Sequence, residues 1–246
     1  KQKQIEFMST AFDDESIQLL HDLGMQRWKI PSGELLSIPY LRKIAAFNQT
    51  TILSTGMGNL DEVALAIQTL LQAGLDKNNL TVLHANTAYP TPYADVNLRA
   101  MQTLAYEFQV SAGLSDHSLG IEVPIAAVAL GATVIEKHFT LDKTLPGPDH
   151  KASLEPAELT AMVQSIRHIE VALGSGEKVA SASESANKLV ARKRIVALKP
   201  ILKGASFTEQ NMTLKRSASG LFAESWDSVL GQVATKDFAE GEGVVI

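Results

Sequence analysis

The sequence predicts an α/β barrel followed by a small β-rich module, and three observations carry that prediction. Short β-type runs alternate with longer helix-periodic segments, six times in about the first 170 residues; repeated βα units of this kind imply a parallel sheet with right-handed crossovers. Chemistry-bearing residues close every run, which is where parallel α/β folds place function. The composition changes after Gly174, first to a Gly/Ser/Ala-rich stretch and then to short strand-like pieces. The expected architecture is a (β/α)8 TIM-type barrel lacking about its first two βα units over residues 1–175, a linker over 176–191 and a compact β-rich domain over 192–246. A doubly wound open sheet is the competing closure.

The strands expected in order are Ile5–Met8, Arg27–Ile30, Thr51–Ser54, Thr81–His84, Val110–Leu114 and Thr133–Lys137. Two helices are plain. From Asn59 to Gly74, Val63, Ile67, Leu70 and Leu71 recur at helical spacing, and Asn59 with Glu62 three residues on is a capping-box pattern. From Glu155 to Leu173, Pro156 suits a first turn. Leu159, Met162, Val163, Ile166, Ile169 and Leu173 make one stripe, and Gly174 ends it. The linker should carry a short helix at its end. Beyond it, Arg194–Leu198, Met212–Lys215 and Val233–Lys236 read as short strands separated by turn-like segments.

The 246 residues carry 22 basic and 27 acidic side chains, a net charge of -5, with no Lys/Arg-rich run. Nucleic acid is therefore not an expected partner. There is no cysteine, which excludes a disulfide framework, a thiolate nucleophile and Cys-ligated zinc, and suits a reducing cytoplasm. No apolar stretch approaches the ~20 residues of a membrane-spanning helix. The first residues, KQKQIEFM, lack the apolar region of a signal peptide.

The strand ends read Ser9-Thr10; Lys29 with Ser32-Gly33-Glu34; Ser54-Thr55-Gly56-Met57; His84 through Tyr89-Pro90; Ser115-Asp116-His117; and Glu136-Lys137-His138. Lys29 with Thr10, Ser32, Ser54 and Ser115 supplies one cation and several neutral donors, the mixture a phosphate needs. The plain alternative for Lys29 is a surface side chain or a structural pair with Glu34. STGMG lacks the lysine of a nucleotide phosphate loop. His117 and His138 stand at the ends of neighbouring strands. Strands ~4.8 Å apart let two imidazoles share one divalent ion, with Glu34, Asp116, Glu136 and Asp149 as nearby carboxylates. His84 and His150 are weaker candidates, and His21 and His168 read as helix-surface residues. Gly147-Pro148 makes a stiff turn that would aim Asp149 inward, and Tyr89 in YPTP would line a pocket.

KIPSGE (29–34), LSTGMGN (53–59), YPTPYADVNLRAM (89–101), SDHSLGIEVPIAAVALGATVIEKHFT (115–140) and GPDHKASLEP (147–156) closely resemble the N-acetylneuraminate (sialic acid) synthase family. VLGQVATKDFAEGEGV (229–244) and LKR (214–216) resemble that family's antifreeze-like SAF domain. The resemblance implies a transferase that condenses phosphoenolpyruvate with an N-acetylhexosamine, typically N-acetylmannosamine, and releases phosphate. Related synthases of legionaminic or pseudaminic acid are the alternative, and an inactive truncated fragment is a further one. It implies a divalent metal on His117 and His138, usually manganese, with magnesium or cobalt possible. It implies phosphoenolpyruvate contacts from Thr10, Lys29, Ser32, Ser54, Ser115 and either Asn86 or Thr87, and sugar contacts from Glu34, Tyr89 and Asp149. Glu34 is the expected base or electrostatic stabiliser. Arg216 matches an arginine that reaches a partner subunit's site and contacts the N-acetyl group, which implies a domain-swapped homodimer.

Overall fold

The structure, a computed structural model, describes residues 5–246. The chain divides into two compact units, the first ending at Ser175 and the second starting at Gly176. The first is built on five parallel strands: β1 (Arg27–Ile30), β2 (Thr50–Ser54), β3 (Leu80–Ala85), β4 (Ser111–Asp116) and β5 (Ile135–Lys137). Their order in the sheet is their order in the chain. A doubly wound sheet would reverse direction at a switch point, and no such reversal occurs among the described strands. Helices α1 (Asp14–Asp22), α2 (Ile38–Ala45), α3 (Leu60–Gln72), α4 (Arg99–Phe108), α5 (Glu122–Ala129) and α6 (Pro156–Leu173) precede, join and follow the strands. The two plain helices form as their caps dictate. Asn59 and Glu62 make a reciprocal capping box at α3. At α6, Glu155 caps, Pro156 opens the first turn and Gly174 ends it at φ 60°.

The expected first strand does not form. Ile5 and Phe7 are 78% and 72% exposed, and residues 5–8 join no ladder. A strand needs a neighbour's backbone groups, whereas this segment meets the β1 region through side chains: Glu6 pairs with Arg27 at 3.2 Å, and Ser9 N–H approaches Met25 Sδ at 3.4 Å. The described sheet therefore has five strands where six were expected.

The sheet is curved, and one contact shows by how much. Lys29 stands on β1 and Glu136 on β5, the two outer strands, yet Nζ and Oε2 lie 3.1 Å apart. Four flat inter-strand steps would separate these backbones by about 19 Å. The two extended side chains with the contact between them span only roughly 14 Å. The strands must therefore wrap, as in a section of barrel wall, with Lys29 and Glu136 bridging the hollow side.

Side-chain alternation sorts the two faces. Trp28, Ile30, Leu53, Leu80 and Val82 point outward into one core with Ile17, Leu41, Ile44, Ile67 and Leu70 of the helices. Lys29, Ile52, Ser54, Leu83, Gly113 and Ser115 alternate with these and share the inner face, as the registers Lys29↔Ile52, Ser54↔Leu83, Leu83↔Gly113 and Ser115↔Glu136 require. A continuous apolar strand would bury both faces; here the inner face turns polar toward the strand ends.

In the second unit a 3₁₀ turn (Ala182–Glu184) and α7 (Ser185–Ala191) precede an antiparallel pair, β6 (Arg194–Ala197) with β7 (Met212–Lys215). Single bridges Val196↔Gly243, Ile201↔Phe238 and Ser206↔Val233 close the rest. Val233–Lys236 is thus one bridge rather than the strand expected, because Val233 is half exposed and only one ladder position is paired. The core is Ile195, Ile201, Phe207, Met212, Val229, Phe238 and Val244. Among the described residues no helix is long and apolar enough to cross a membrane.

Gly113 marks the tightest backbone approach in the wall. A Cβ there would lie 2.3 Å from the Val134 carbonyl oxygen and 2.7 Å from Leu83 Cδ2. Gly113→Ala should destabilise the chain by about 1–3 kcal/mol, the range for overpacked cores. Urea unfolding checks this, and an unchanged midpoint would contradict the close approach.

Candidate active site

The ends of β4 and β5 bring two side-chain clusters onto the inner face. In the first, Glu136 accepts from Ser115 Oγ at 2.6 Å through Oε1 and faces Lys29 Nζ through Oε2. Lys29 is thus paired, but with Glu136 instead of Glu34. Ser54, in the row of inner-face residues, is 1% exposed, and its Oγ has no partner among the described residues. An orphaned buried hydroxyl is costly, and it marks a donor available to a ligand.

The second cluster is aromatic. His117 and His138 ring centroids are 5.2 Å apart, and Tyr89 packs at 4.1 Å and 5.2 Å from them. His117 Nδ1 pairs with the Asn86 carbonyl oxygen at 2.5 Å, which orients Nε2 away from the backbone. Burial pulls the His117 pKa down; the carbonyl contact opposes this, His138 adds to it, and Glu136 and Asp116 oppose it. The net shift is downward from 6.5, which keeps the ring neutral near pH 7, as a ligand requires. Tyr89 is raised above 10.0 by burial first, then by the charges of Asp149 and Glu136.

The spacing of the two imidazoles falls in the range for two ligands of one ion. A nitrogen ~2.1 Å from a cation places its ring centroid ~3.2 Å away, so two cis imidazoles have centroids about 4.6–5.3 Å apart. The observed 5.2 Å lies in that window. The expected carboxylates do not complete a shell. Asp116 turns to the outer face, Glu136 is held by Lys29 and Ser115, and Asp149 lies 3.8 Å from His138 Nδ1. Among the described residues no cluster of three or more His, Cys, Asp or Glu side chains forms.

Other expected residues are placed differently. Ser32, in the 3₁₀ turn Ser32–Glu34, accepts at Oγ from Gly56 N–H at 2.9 Å. A Cβ on Gly56 would sit 2.8 Å from both Ser32 Oγ and Thr87 Cγ2. Thr87 is therefore beside the serine, whereas the Asn86 side chain folds back on its own loop, accepting from Ala88 N–H at 2.8 Å. The Glu34 carboxylate makes no hydrogen bond among the described residues, and its charge is the second cause, after burial, raising Tyr40 to about 12. Thr10 also bonds to none of the cluster. Arg216 follows β7 in the second unit and is exposed. His84 and His150 are bound elsewhere, to Val96 O and Thr140 Oγ1, both at 2.7 Å.

One support escaped the sequence reading. Lys137 Nζ reaches Asp116 Oδ2 at 2.5 Å and Ser118 O at 2.7 Å, while Asp116 Oδ1 accepts from Ser118 N–H and Oγ. This pair is nearly sealed from solvent, at 3% and 2% exposure. The register Asp116↔Lys137 follows directly on Ser115↔Glu136. An acid and a base one step along neighbouring strands from an inner-face pair was the available signal.

A curved parallel sheet with a lysine, buried hydroxyls and an imidazole pair at its strand ends is an α/β half-barrel with polar side chains gathered on its hollow face. The NeuB family profile matches residues 1–178 and the SAF domain profile residues 192–245. The chain belongs to the NeuB family, whose relatives below are sugar-acid synthases. It is 52% identical over 242 residues to the N,N'-diacetyllegionaminic acid synthase of Campylobacter jejuni, covering 98% of this chain and 72% of that protein. It is 37% identical over 210 residues to human N-acetylneuraminate-9-phosphate synthase, covering 85% of this chain and 58% of that protein. The crystal structure of a sialic acid synthetase from Leptospira borgpetersenii superposes with a TM-score of 0.70 at 37% identity, over 76% of this chain and 64% of that one.

The Asp116–Lys137 pair yields a direct test. Lys137→Met keeps the stem but strands a buried carboxylate, and losing one partner of such a pair costs about 3–5 kcal/mol. Chemical denaturation should show that loss. A change no larger than that of an exposed Lys→Met control would remove the pair from the framework.

Proposed function

We propose that this chain carries the catalytic face of a nonulosonic acid synthase. It joins phosphoenolpyruvate, the open-chain aldehyde of an N-acetylated hexosamine, and water, and gives a sugar acid and phosphate by C–O cleavage. The observation that carries the reading is the meeting of Lys29 and Ser115 beside the His117–His138 pair on one face. The expectation from sequence was N-acetylmannosamine and sialic acid. The 52% identity to a diacetyllegionaminic acid synthase supports the alternative better: an acceptor bearing a second acetamido group.

In this reading Lys29, Ser115, Ser54, Ser32 and Thr87 hold the enol-phosphate, with Thr10 joining them from the segment before α1. C3 of the enol forms a bond to the aldehyde carbon, whose oxygen takes a proton, and positive charge develops at C2. Water adds to C2 and gives its proton to a carboxylate, for which Glu34 is the assigned base and electrostatic partner. The new C2 hydroxyl then collapses to the carbonyl, its proton passing to the phosphate that leaves as the bond from C2 to the phosphate oxygen breaks. Tyr89 and Asp149 border the sugar. His117 and His138 would hold a divalent cation, for which we take manganese, and a cation bound there polarises the aldehyde oxygen as a Lewis acid. Fixing both substrates on one rim supplies rate through proximity.

The proposal extends to a cytoplasmic, domain-swapped homodimer in which the partner's Arg216 reads an acetamide. Its support is the SAF match around an exposed arginine.

Two measurements test these assignments. With manganese, phosphoenolpyruvate and a panel of acetamido-hexosamines, the chain should release phosphate. The His117→Ala/His138→Ala double variant should lose metal-dependent release while keeping its circular dichroism. Turnover that persists in a chelator would end the metal assignment. Arg216→Ala should raise the sugar KM about tenfold or more, the effect of one lost charged hydrogen bond, with the phosphoenolpyruvate KM unmoved. Equal effects on both would take Arg216 out of acetamide recognition.

A further inference from the structure

Glu136 stands against two of the donors assigned above to phosphoenolpyruvate. Ser115 Oγ donates to one carboxylate oxygen at 2.6 Å and Lys29 Nζ meets the other at 3.1 Å. Both donors are buried, Ser115 at 3% and Lys29 at 7% exposure. The neighbouring hydroxyl of Ser54 is buried too, and bonds to nothing among the described residues. A carboxylate is a planar oxyanion with two acceptor atoms, the same shape of charge as the substrate's own carboxylate or one edge of its phosphate. While Glu136 engages the ammonium and the hydroxyl, neither is fully available to a second anion. An anion arriving beside it would also meet a like charge in surroundings that screen poorly.

We propose that Glu136 is a resident counter-anion of the oxyanion site: it holds Lys29 and Ser115 in place on the inner face, and the substrate's acidic group binds by exchange for it. The proposal rests on the function argued above. Lysine has a flexible four-carbon stem and a strongly hydrated head. A partner across the hollow, whether a carboxylate, an amide oxygen or a bound anion, keeps it in a buried, inward pose. Exchange also discriminates. A ligand must bring negative charge and at least two acceptor atoms to replace both bonds, which a neutral sugar hydroxyl does not do. The site is thereby reserved for the acidic substrate, and the sugar is left to the Tyr89–Asp149 side. A charge-free carboxamide at position 136 would hold the donors less firmly and surrender them more readily.

Calorimetric titration of the full chain with inorganic phosphate, and separately with phosphoenolpyruvate, tests this on wild type, Glu136→Gln and Glu136→Asp. Glutamine keeps the shape and one acceptor but removes the charge. Aspartate keeps the charge on an arm one carbon shorter, which no longer serves both donors. Both variants should bind phosphate more tightly, glutamine at least tenfold and aspartate less, and adding Lys29→Met to Glu136→Gln should erase the gain. A merely structural Glu136 gives the opposite sign, because losing a brace weakens binding. Equal or weaker phosphate binding by Glu136→Gln overturns the proposal, and if that variant does not fold, Glu136→Asp decides by the same criterion. The two ligands separate the two claims. Tighter phosphate without any phosphoenolpyruvate binding would keep the exchange and sink the synthase reading. Wild-type phosphoenolpyruvate binding with no gain in either variant would do the converse.

Discussion

The reach of one lysine across the hollow of the sheet is the constraint on which the rest of this structure depends. Lys29 and Glu136 belong to the first and last of five strands, and only a strongly wrapped sheet lets them meet. Curvature and chemistry are therefore the same fact. The wrap that brings the two side chains together also brings the hydroxyl of Ser115 to the same carboxylate and sets the imidazoles of β4 and β5 beside it. A flat sheet of the same sequence would leave a buried ammonium without a counter-charge, which folding does not tolerate cheaply.

Strict alternation along β4 and β5 lets one short stretch serve two purposes. Ser115 and Glu136 face inward; Asp116 and Lys137, one residue on, face outward and form a sealed ion pair. Register is consequently fixed from both sides. A slip by one residue would exchange the two pairs and bring the framework ion pair into the site. The outward pair also ties down Ser118 immediately after His117, so the imidazole stands on a strand end braced from behind. Buried ion pairs are weak evidence of net stability, and the better account of this one is positional.

Much of this was legible in the residues. The βα alternation, the caps of α3 and α6, and the closeness of His117 and His138 follow from local chemistry and strand adjacency, which one sequence displays. The failures share a cause. Ile5–Met8 has strand-like residues, but pairing is decided by a neighbour's backbone, which no local pattern reports. Local sequence offers Lys29 only Glu34, five residues away, whereas its partner lies more than a hundred residues on. Asp116 has the residue type of a metal carboxylate, but strand alternation turns it to the outer face, against Lys137. Asn86 and Thr87 are adjacent polar residues of one loop, and only the fold shows that the Asn86 side chain turns back on that loop.

The division of labour between the inner face and the loops bears on how one framework makes different acids. Relatives named for legionaminic, pseudaminic and N-acetylneuraminic products stand at 52%, 38% and 37% identity to this chain. The donors for an enol-phosphate serve a reactant common to the reaction type proposed here, so they carry no information about the acceptor. Selection among acceptors must come from side chains that touch the sugar, each worth only about 1–3 kcal/mol of discrimination. In the function proposed above those side chains are Tyr89 and Asp149, on loops beyond the strand ends, and Arg216 after β7. The Lys29–Glu136 bridge, by contrast, lies inside the wall and joins its two outer strands. On the reading proposed above, discrimination between acceptors belongs to the loops, and the shared chemistry to the inner face of the wrapped sheet.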